Sequence, residues 1–199
     1  MVAIELNQQA KSKGMTYVDA PVSGGVTGAQ AGTLTFMVGA ENPALFDRSK
    51  EILQAMGKSF FNCQKPGAGQ IAKLCNNMAL AIEMIGISEA LAMGAKLGMD
   101  GKVLSDIMKV SSSRCWSVDT YNPVPGVIEG VPASRDYERG FGSELMLKDL
   151  KLASDAAQSV NCKIELGETS KKIYQQIVNN GMGRKDFGII YDLILKNKA

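Results

Sequence analysis

The sequence predicts an α/β segment followed by an all-α domain. Three observations carry this. Strand-like and helix-like runs alternate as far as Cys63, strand-like runs then cease, and from Gln70 onward the apolar residues recur at helical spacing. The boundary is drawn between residues 1–66 and 67–199.

Residues 1–12 form an amphipathic helical pattern that stops at Gly14, and TYVDAPV (16–22) reads as a short strand closed by a proline, the end of an αβ unit. TLTFMVGA (33–40) is a second strand. NPALFDRSKEILQAMG (42–57) is a helix with Asn42 as N-cap, Pro43 at its first position and Gly57 at its end. SFFNC (59–63) is a third strand, so the three runs make a strand-helix-strand crossover. Residues 70–97 are helical and apolar nearly all round, as expected of the central helix of a bundle, with Met78, Met84, Met93 and Met99 as core filling. Asp100 caps a helix reaching Val110, a Ser-, Pro- and Gly-rich loop spans 111–142, and helical runs follow at 143–160, 167–180 and from the N-cap Asp186 to 196.

Composition excludes several chemistries. The 199 residues, 45% hydrophobic and 21% charged, suit one or two globular domains, and a net charge of +2 with scattered Lys and Arg suggests neither a nucleic-acid footprint nor a polybasic membrane patch. Histidine is absent, which removes Ser-His-Asp and Cys-His relays and most catalytic zinc sites; proton transfer falls to Lys, Asp, Glu, Tyr or Cys. Cys63, Cys75, Cys115 and Cys162 form no metal-ligand spacing and read as free, mostly buried thiols of a reducing compartment. The N-terminus lacks the pattern of a signal peptide, and Glu83, Glu89 and Lys96 make the apolar run 78–97 a buried helix rather than a membrane span.

The stretch PGAGQIAKLCNN (66–77) fits the G-x-G-x-x-G/A pattern of dinucleotide-binding turns. That motif needs a second strand and an acidic residue roughly 20 residues on, whereas here the following helix alone consumes that length. The match is therefore a coincidence, and the functional interest passes to the helix. Lys73 and Asn77, four residues apart, share one face near its N-terminal end. An ammonium close to the positive helix end and partly desolvated is disfavoured relative to the amine, the condition for acid/base work, while Asn77 can orient an oxygen. From the spacing alone, an ordinary exposed lysine and a surface amide are the better-supported alternative. In DAPVSGGVTGAQAGTL (19–34), Ser23, Gly24 and Gly25 follow a strand end, where bare backbone N–H groups and a hydroxyl can converge on a carboxylate; a turn needing glycine is the alternative. In RGFGSELMLKDLKLA (139–153), Phe141 stands at a helix start, and Lys148 and Asp149 read by themselves as a solvated charged pair.

These three clusters, in this order, resemble the β-hydroxyacid dehydrogenases, and the resemblance covers essentially the whole chain. SSSRCWSVDTYNPVPGV (111–127) is similar to the branch of that family acting on 3-hydroxyisobutyrate. The resemblance implies a Rossmann domain with an added strand-helix-strand, of which residues 1–66 are the C-terminal remnant, and an all-helical substrate and dimerisation domain. It implies Lys73 as catalytic acid/base; Ser23, Gly24, Gly25 and Asn77 as holders of the substrate's carboxylate and hydroxyl; Lys148 as a contact of the nicotinamide cofactor, NAD; and Phe141 and Asp149 lining the same cleft. The implied partners are a small hydroxy acid and other copies of the chain, in the mitochondrial matrix or a bacterial cytoplasm.

The family's own glycine fingerprint has no match here, so the sequence is expected to be a C-terminal portion that does not bind NAD unaided and that self-associates through an exposed strand edge. Rival functions are a tartronate or glyoxylate semialdehyde reductase and a non-catalytic oligomerisation module. A 6-phosphogluconate dehydrogenase pattern carries His where this chain has Asn76.

Overall fold

In the first unit of the computed structural model, Phe36 and Phe60 stack with centroids 5.7 Å apart on neighbouring strands. The structure describes residues 2–197, and the chain divides into units Met1–Asn76 and Asn77–Ala199. The first unit contains α1 (Val2–Ser12), β1 (Val22–Ser23), α2 (Gly25–Gln30), β2 (Leu34–Val38), α3 (Pro43–Leu53) and β3 (Gly57–Asn62). The sheet order is β1-β2-β3, with β2 parallel to β3 in the register Phe36 to Phe60 and β1 antiparallel to β2 in the register Val22 to Phe36. The strand-helix-strand crossover is thus present, and its core is Phe36, Val38 and Ala40 packed by Leu45, Phe46 and Leu53.

Three local expectations differ from what is observed. TYVDAPV is not a continuous strand: only Val22 enters β1, while Asp19 and Pro21 lend β2 their carbonyls, to Gly39 N at 2.7 Å and Met37 N at 3.0 Å. Pro21 has no N–H to return, which keeps the ladder one-sided. The glycine-rich stretch after Ser23 is not all loop but contains α2, a six-residue helix with no apolar periodicity to betray it. Finally, Asn42 does cap α3, its side chain accepting from Leu45 N at 2.9 Å, but the helix ends at Leu53. Gly57 instead opens β3, where a Cβ would lie 2.3 Å from Leu34 O, so close strand approach is what requires glycine there.

The division between units falls inside α4 (Ala68–Lys96). The second unit continues with α5 (Gly101–Val110), α6 (Trp116–Asp119), α7 (Ser143–Ser159), α8 (Glu165–Ile177) and α9 (Ile190–Leu195). Ala81, Met84 and Ile85 of α4 join Met146, Leu147 and Leu150 of α7, Tyr174 and Ile177 of α8 and Ile190 of α9 in one core; Ile87, Leu91 and Ala92 pack with Met108, Val118 and Tyr191 in a second. α4 is long and apolar enough to cross a membrane, and these buried contacts account for its apolarity otherwise. Met93 and Met99 are exposed, against the expectation of a continuous methionine core stripe.

Asp100 caps α5 through Val103 N, as its position predicts. The 111–142 stretch is more ordered than a loop: α6 and a 3-10 turn, Pro132–Arg135, lie within it, and buried Asn122 ties Ser105 Oγ, Val118 O and Val124 N together. α8 passes into a π-turn, Val178–Met182, broken by Gly181 at φ +77°. The four cysteines are free, with Cys75 and Cys162 exposed rather than buried. Among the described residues no cluster of three or more His, Cys, Asp or Glu is placed to hold a metal ion.

Candidate active site

What sits at the Gly67–Gly69 turn is the chain's own carboxylate. Asp19, 3% exposed, accepts from Gly67 N at 2.6 Å and from Gln70 N at 3.0 Å, satisfying two of the donors that the start of α4 leaves unpaired. The turn is closed on its other sides too. A Cβ at Gly69 would lie 2.1 Å from Met37 O, and one at Gly39 would lie 2.2 Å from the Asp19 carboxylate. Gly67 itself has φ +86°, a conformation that favours glycine. The group at this helix end is a carboxylate from a residue 48 positions upstream, in line with the reading of the G-x-G-x-x-A match as a coincidence.

Lys73 lies half-buried on α4, one turn beyond Gln70, and Asn77 follows at the next turn. Elsewhere in the first unit, Ser23 pairs with Thr35 at the end of β1, and Gly24 and Gly25 adopt φ +137° and +59° as the chain turns into α2. Both glycines are exposed, and a Cβ at Gly24 would come within 3.0 Å of Leu34 Cδ2.

In the second unit, Asn77, Asp149 and Lys148 form one contact chain. Asn77 Nδ2 donates to Asp149 Oδ2 at 2.5 Å, and Lys148 Nζ lies 2.8 Å from Asp149 Oδ1. Asp149 is not the solvated residue that its charge suggests: it is 8% exposed, and both oxygens have cationic or N–H partners, as a buried carboxylate requires. Lys148 keeps its ammonium at the surface, with 61% of its side chain exposed.

Phe141 belongs to a different group. It precedes α7 by two residues and sits edge-on to Phe187, centroids 5.9 Å apart; Phe187 stacks on Tyr121, and Tyr121 stacks on Trp116 at 4.7 Å. Beside these rings Asp186, 1% exposed, accepts from Tyr121 Oη and Phe141 N, both at 2.7 Å, and from Gly188 N at 2.9 Å. Burial raises the Asp186 carboxyl to about 6, with the Gly188, Tyr121 and Phe141 donors pulling the other way, and pushes the Tyr121 phenol far up. At the other end of this stretch, Glu83 of α4 accepts from Ser117 N at 2.9 Å and Ser117 Oγ at 2.7 Å, holding the first turn of α6.

Sequence reasoning named Asp186 only as a helix cap, and missed Asp19, Glu83 and Tyr121. The Asp19 partners lie beyond any local pattern, and only the unpaired donors at the start of α4 signalled that some acceptor was needed. For a nicotinamide dinucleotide the described residues fit at one end. Exposed, cationic Lys148 suits a polar cofactor group, whereas the Gly67–Gly69 turn, filled by Asp19, leaves no cradle for a pyrophosphate.

Comparison with known proteins identifies the family. The mitochondrial 3-hydroxyisobutyrate dehydrogenase of Drosophila melanogaster is 49% identical over 193 residues, covering 97% of this chain and 59% of that protein. The Rattus norvegicus mitochondrial 3-hydroxyisobutyrate dehydrogenase is 48% identical over 199 residues, again 59% of its length, so the chain spans about three fifths of these relatives. A Mycobacterium tuberculosis 3-hydroxyisobutyrate dehydrogenase solved with L-serine superimposes with a TM-score of 0.91 at 40% identity, over 96% of this chain and 65% of that one. Residues 1–67 match the NAD binding domain of 6-phosphogluconate dehydrogenase. Residues 67–194 match the family described as NAD-binding of NADP-dependent 3-hydroxyisobutyrate dehydrogenase, and the chain belongs to that family.

Proposed function

We propose that the protein carrying this chain oxidises 3-hydroxyisobutyrate to methylmalonate semialdehyde with NAD, and that Lys73 is the acid/base. The observation that carries this is the placement of Lys73 and Asn77 one turn apart on α4, a helix whose first turn is held by Asp19. The names of the relatives support the substrate.

In this reading the Lys73 amine takes the proton of the substrate hydroxyl as its carbon becomes an aldehyde, and returns it in the reverse direction. Asn77, its amide fixed by the bond to Asp149, holds the reacting oxygen. Ser23, Gly24 and Gly25 hold the carboxylate, with Phe141 and Asp149 bounding the substrate. NAD, when bound, accepts the hydride, and Lys148 is the residue of this chain that meets it. The residues 1–66 are the C-terminal part of the cofactor domain in this proposal, and 67–199 the substrate domain. Exposed Val103, Ile107 and Val110 on α5 support assembly into homo-oligomers, and relatives named mitochondrial support the matrix as its compartment.

L-serine is a second candidate substrate, favoured by the Mycobacterium tuberculosis structure that carries it. A spectrophotometric comparison of 3-hydroxyisobutyrate, L-serine, D-glycerate and 6-phosphogluconate with both NAD and NADP, using protein from the full coding sequence, separates the candidates. The highest kcat/KM is expected for 3-hydroxyisobutyrate with NAD; no turnover of any hydroxy acid would leave the non-catalytic alternative standing.

A further inference from the structure

The geometry points to Asp186 as a positioning residue that sets the Phe141 and Tyr121 side of the substrate site through three hydrogen bonds. The inference rests on the proposed placement of Phe141 beside the substrate. A single buried carboxylate gathers donors from three separate stretches: the Tyr121 hydroxyl after α6, the Phe141 N–H before α7 and the Gly188 N–H in the turn leading to α9. The Phe141–Ser143 strand of chain is bound to 185–187 in other ways as well. Phe187 N donates to Phe141 O at 2.9 Å and Ser143 N to Lys185 O at 2.8 Å, so the carboxylate is the polar centre of a small antiparallel clasp.

The site is cut to the size of an aspartate. A Cβ at Gly140 would lie 2.0 Å from Asp186 Oδ2, and Gly188 would bring one within 3.0 Å of Oδ1. Tyr121 stacks on both Trp116 and Phe187, so fixing the phenol helps fix the ring that Trp116 stacks on. Helix capping alone needs only the bond to Gly188 N. The other two bonds go to groups outside the cap, one of them on the residue assigned to the substrate, and these are what a positioning role explains.

The chain has one tryptophan, Trp116, stacked on the tyrosine that Asp186 holds, and its emission therefore reads the clasp directly. Asp186→Asn keeps the shape but presents an N–H where an acceptor stood. In protein from the full coding sequence it should shift the emission component that Trp116→Phe removes, while leaving the far-UV circular dichroism unchanged. It should raise the KM for 3-hydroxyisobutyrate by about 10-fold, the scale of one charge-assisted hydrogen bond, with kcat and the KM for NAD within about 3-fold of the parent. Asp186→Glu, too long for the site, should not rescue.

Tyr121→Phe removes one donor without touching the cap, and carries the test if Asp186→Asn fails to fold; the same emission shift and a smaller rise in KM, about 3-fold, are expected. Unchanged emission and unchanged hydroxy-acid KM in Tyr121→Phe, or an Asp186→Asn protein that loses stability while Trp116 and KM stay fixed, would overturn the role. If the parent turns over no hydroxy acid, the proposed function fails, and the Trp116 emission of the two variants alone decides whether Asp186 holds Tyr121.

Discussion

Replacing Asp19 by alanine tests why α4 starts where it does. The Asp19 carboxylate is the acceptor for Gly67 N and Gln70 N, and alanine at position 19 leaves both N–H groups facing the packed ends of β2 and α4. Each orphaned buried donor costs about 1–3 kcal/mol, and a lost N-cap about 1 kcal/mol, contributions that overlap because the Gln70 bond is itself the cap. The expected destabilisation of the first unit is about 2–4 kcal/mol. Asp19→Asn retains one acceptor oxygen and should lose roughly half of that. The direct assay is amide hydrogen exchange read at Gly67 and Gln70, where about 2–4 kcal/mol corresponds to a rate increase of about 30- to 1,000-fold if opening of this turn controls exchange. Urea unfolding should report the same loss as a lower midpoint. Exchange at both amides within about 2-fold of the parent would refute the claim that Asp19 holds the helix end.

Other outcomes follow from the same contacts. Gly24→Ala must place a side chain at φ +137° and against Leu34, and should raise the KM for hydroxy acid more than that for NAD; an unchanged hydroxy-acid KM would reduce Gly24 and its neighbour to turn residues. Calorimetric titration of these 199 residues with NAD should show no binding, because Asp19 fills the Gly67–Gly69 turn, and micromolar binding would contradict that. Asp186 makes stability depend on pH. With burial lifting its carboxyl from 3.8 to about 6, the folded state favours the protonated form. Its contribution is full below about pH 4 and is lost as pH rises through about 6, a fall of about 3 kcal/mol. The charge of Arg135 pulls the Asp186 carboxyl down slightly, and Tyr121, Tyr137 and Tyr174, which also face it, are each pushed up and away from that window. Unfolding of Asp186→Asn across pH 4–7 should lack that fall, and parallel profiles would refute it.

The parts of the fold written in local chemistry were legible. Asn42, Asp100 and Asp186 cap helices where their sequence neighbours say they should, and the apolar run after Gly69 became a single 29-residue helix. Features that depend on partners far along the chain were not. TYVDAPV looks like a strand because its residues favour one, yet the single antiparallel neighbour it finds, β2, bonds it on one side only. α2 has too little apolar material for any periodicity to reveal it. At the site, the spacing of Lys73 and Asn77 could be read directly, since helix geometry dictates it. The burial of Asp149 could not, because its partner Asn77 lies 72 residues away and only packing brings them together. Asp19 illustrates the same limit from the other side: the start of α4 has N–H groups that need an acceptor, and only the tertiary structure says which residue supplies it.

The central claim is that the Lys73 amine exchanges the substrate's proton, and the pH dependence of kcat for 3-hydroxyisobutyrate oxidation in the parent and in Lys73→Ala tests it most directly. The account predicts a parent profile with an acidic limb set by a group that must be deprotonated. In Lys73→Ala that limb should vanish and turnover should fall by about 10²- to 10⁴-fold, with NAD affinity little changed. Lys73→Arg should fail as well, since a guanidinium stays protonated. A Lys73→Ala protein that turns over at near the parental rate with the same acidic limb would contradict it.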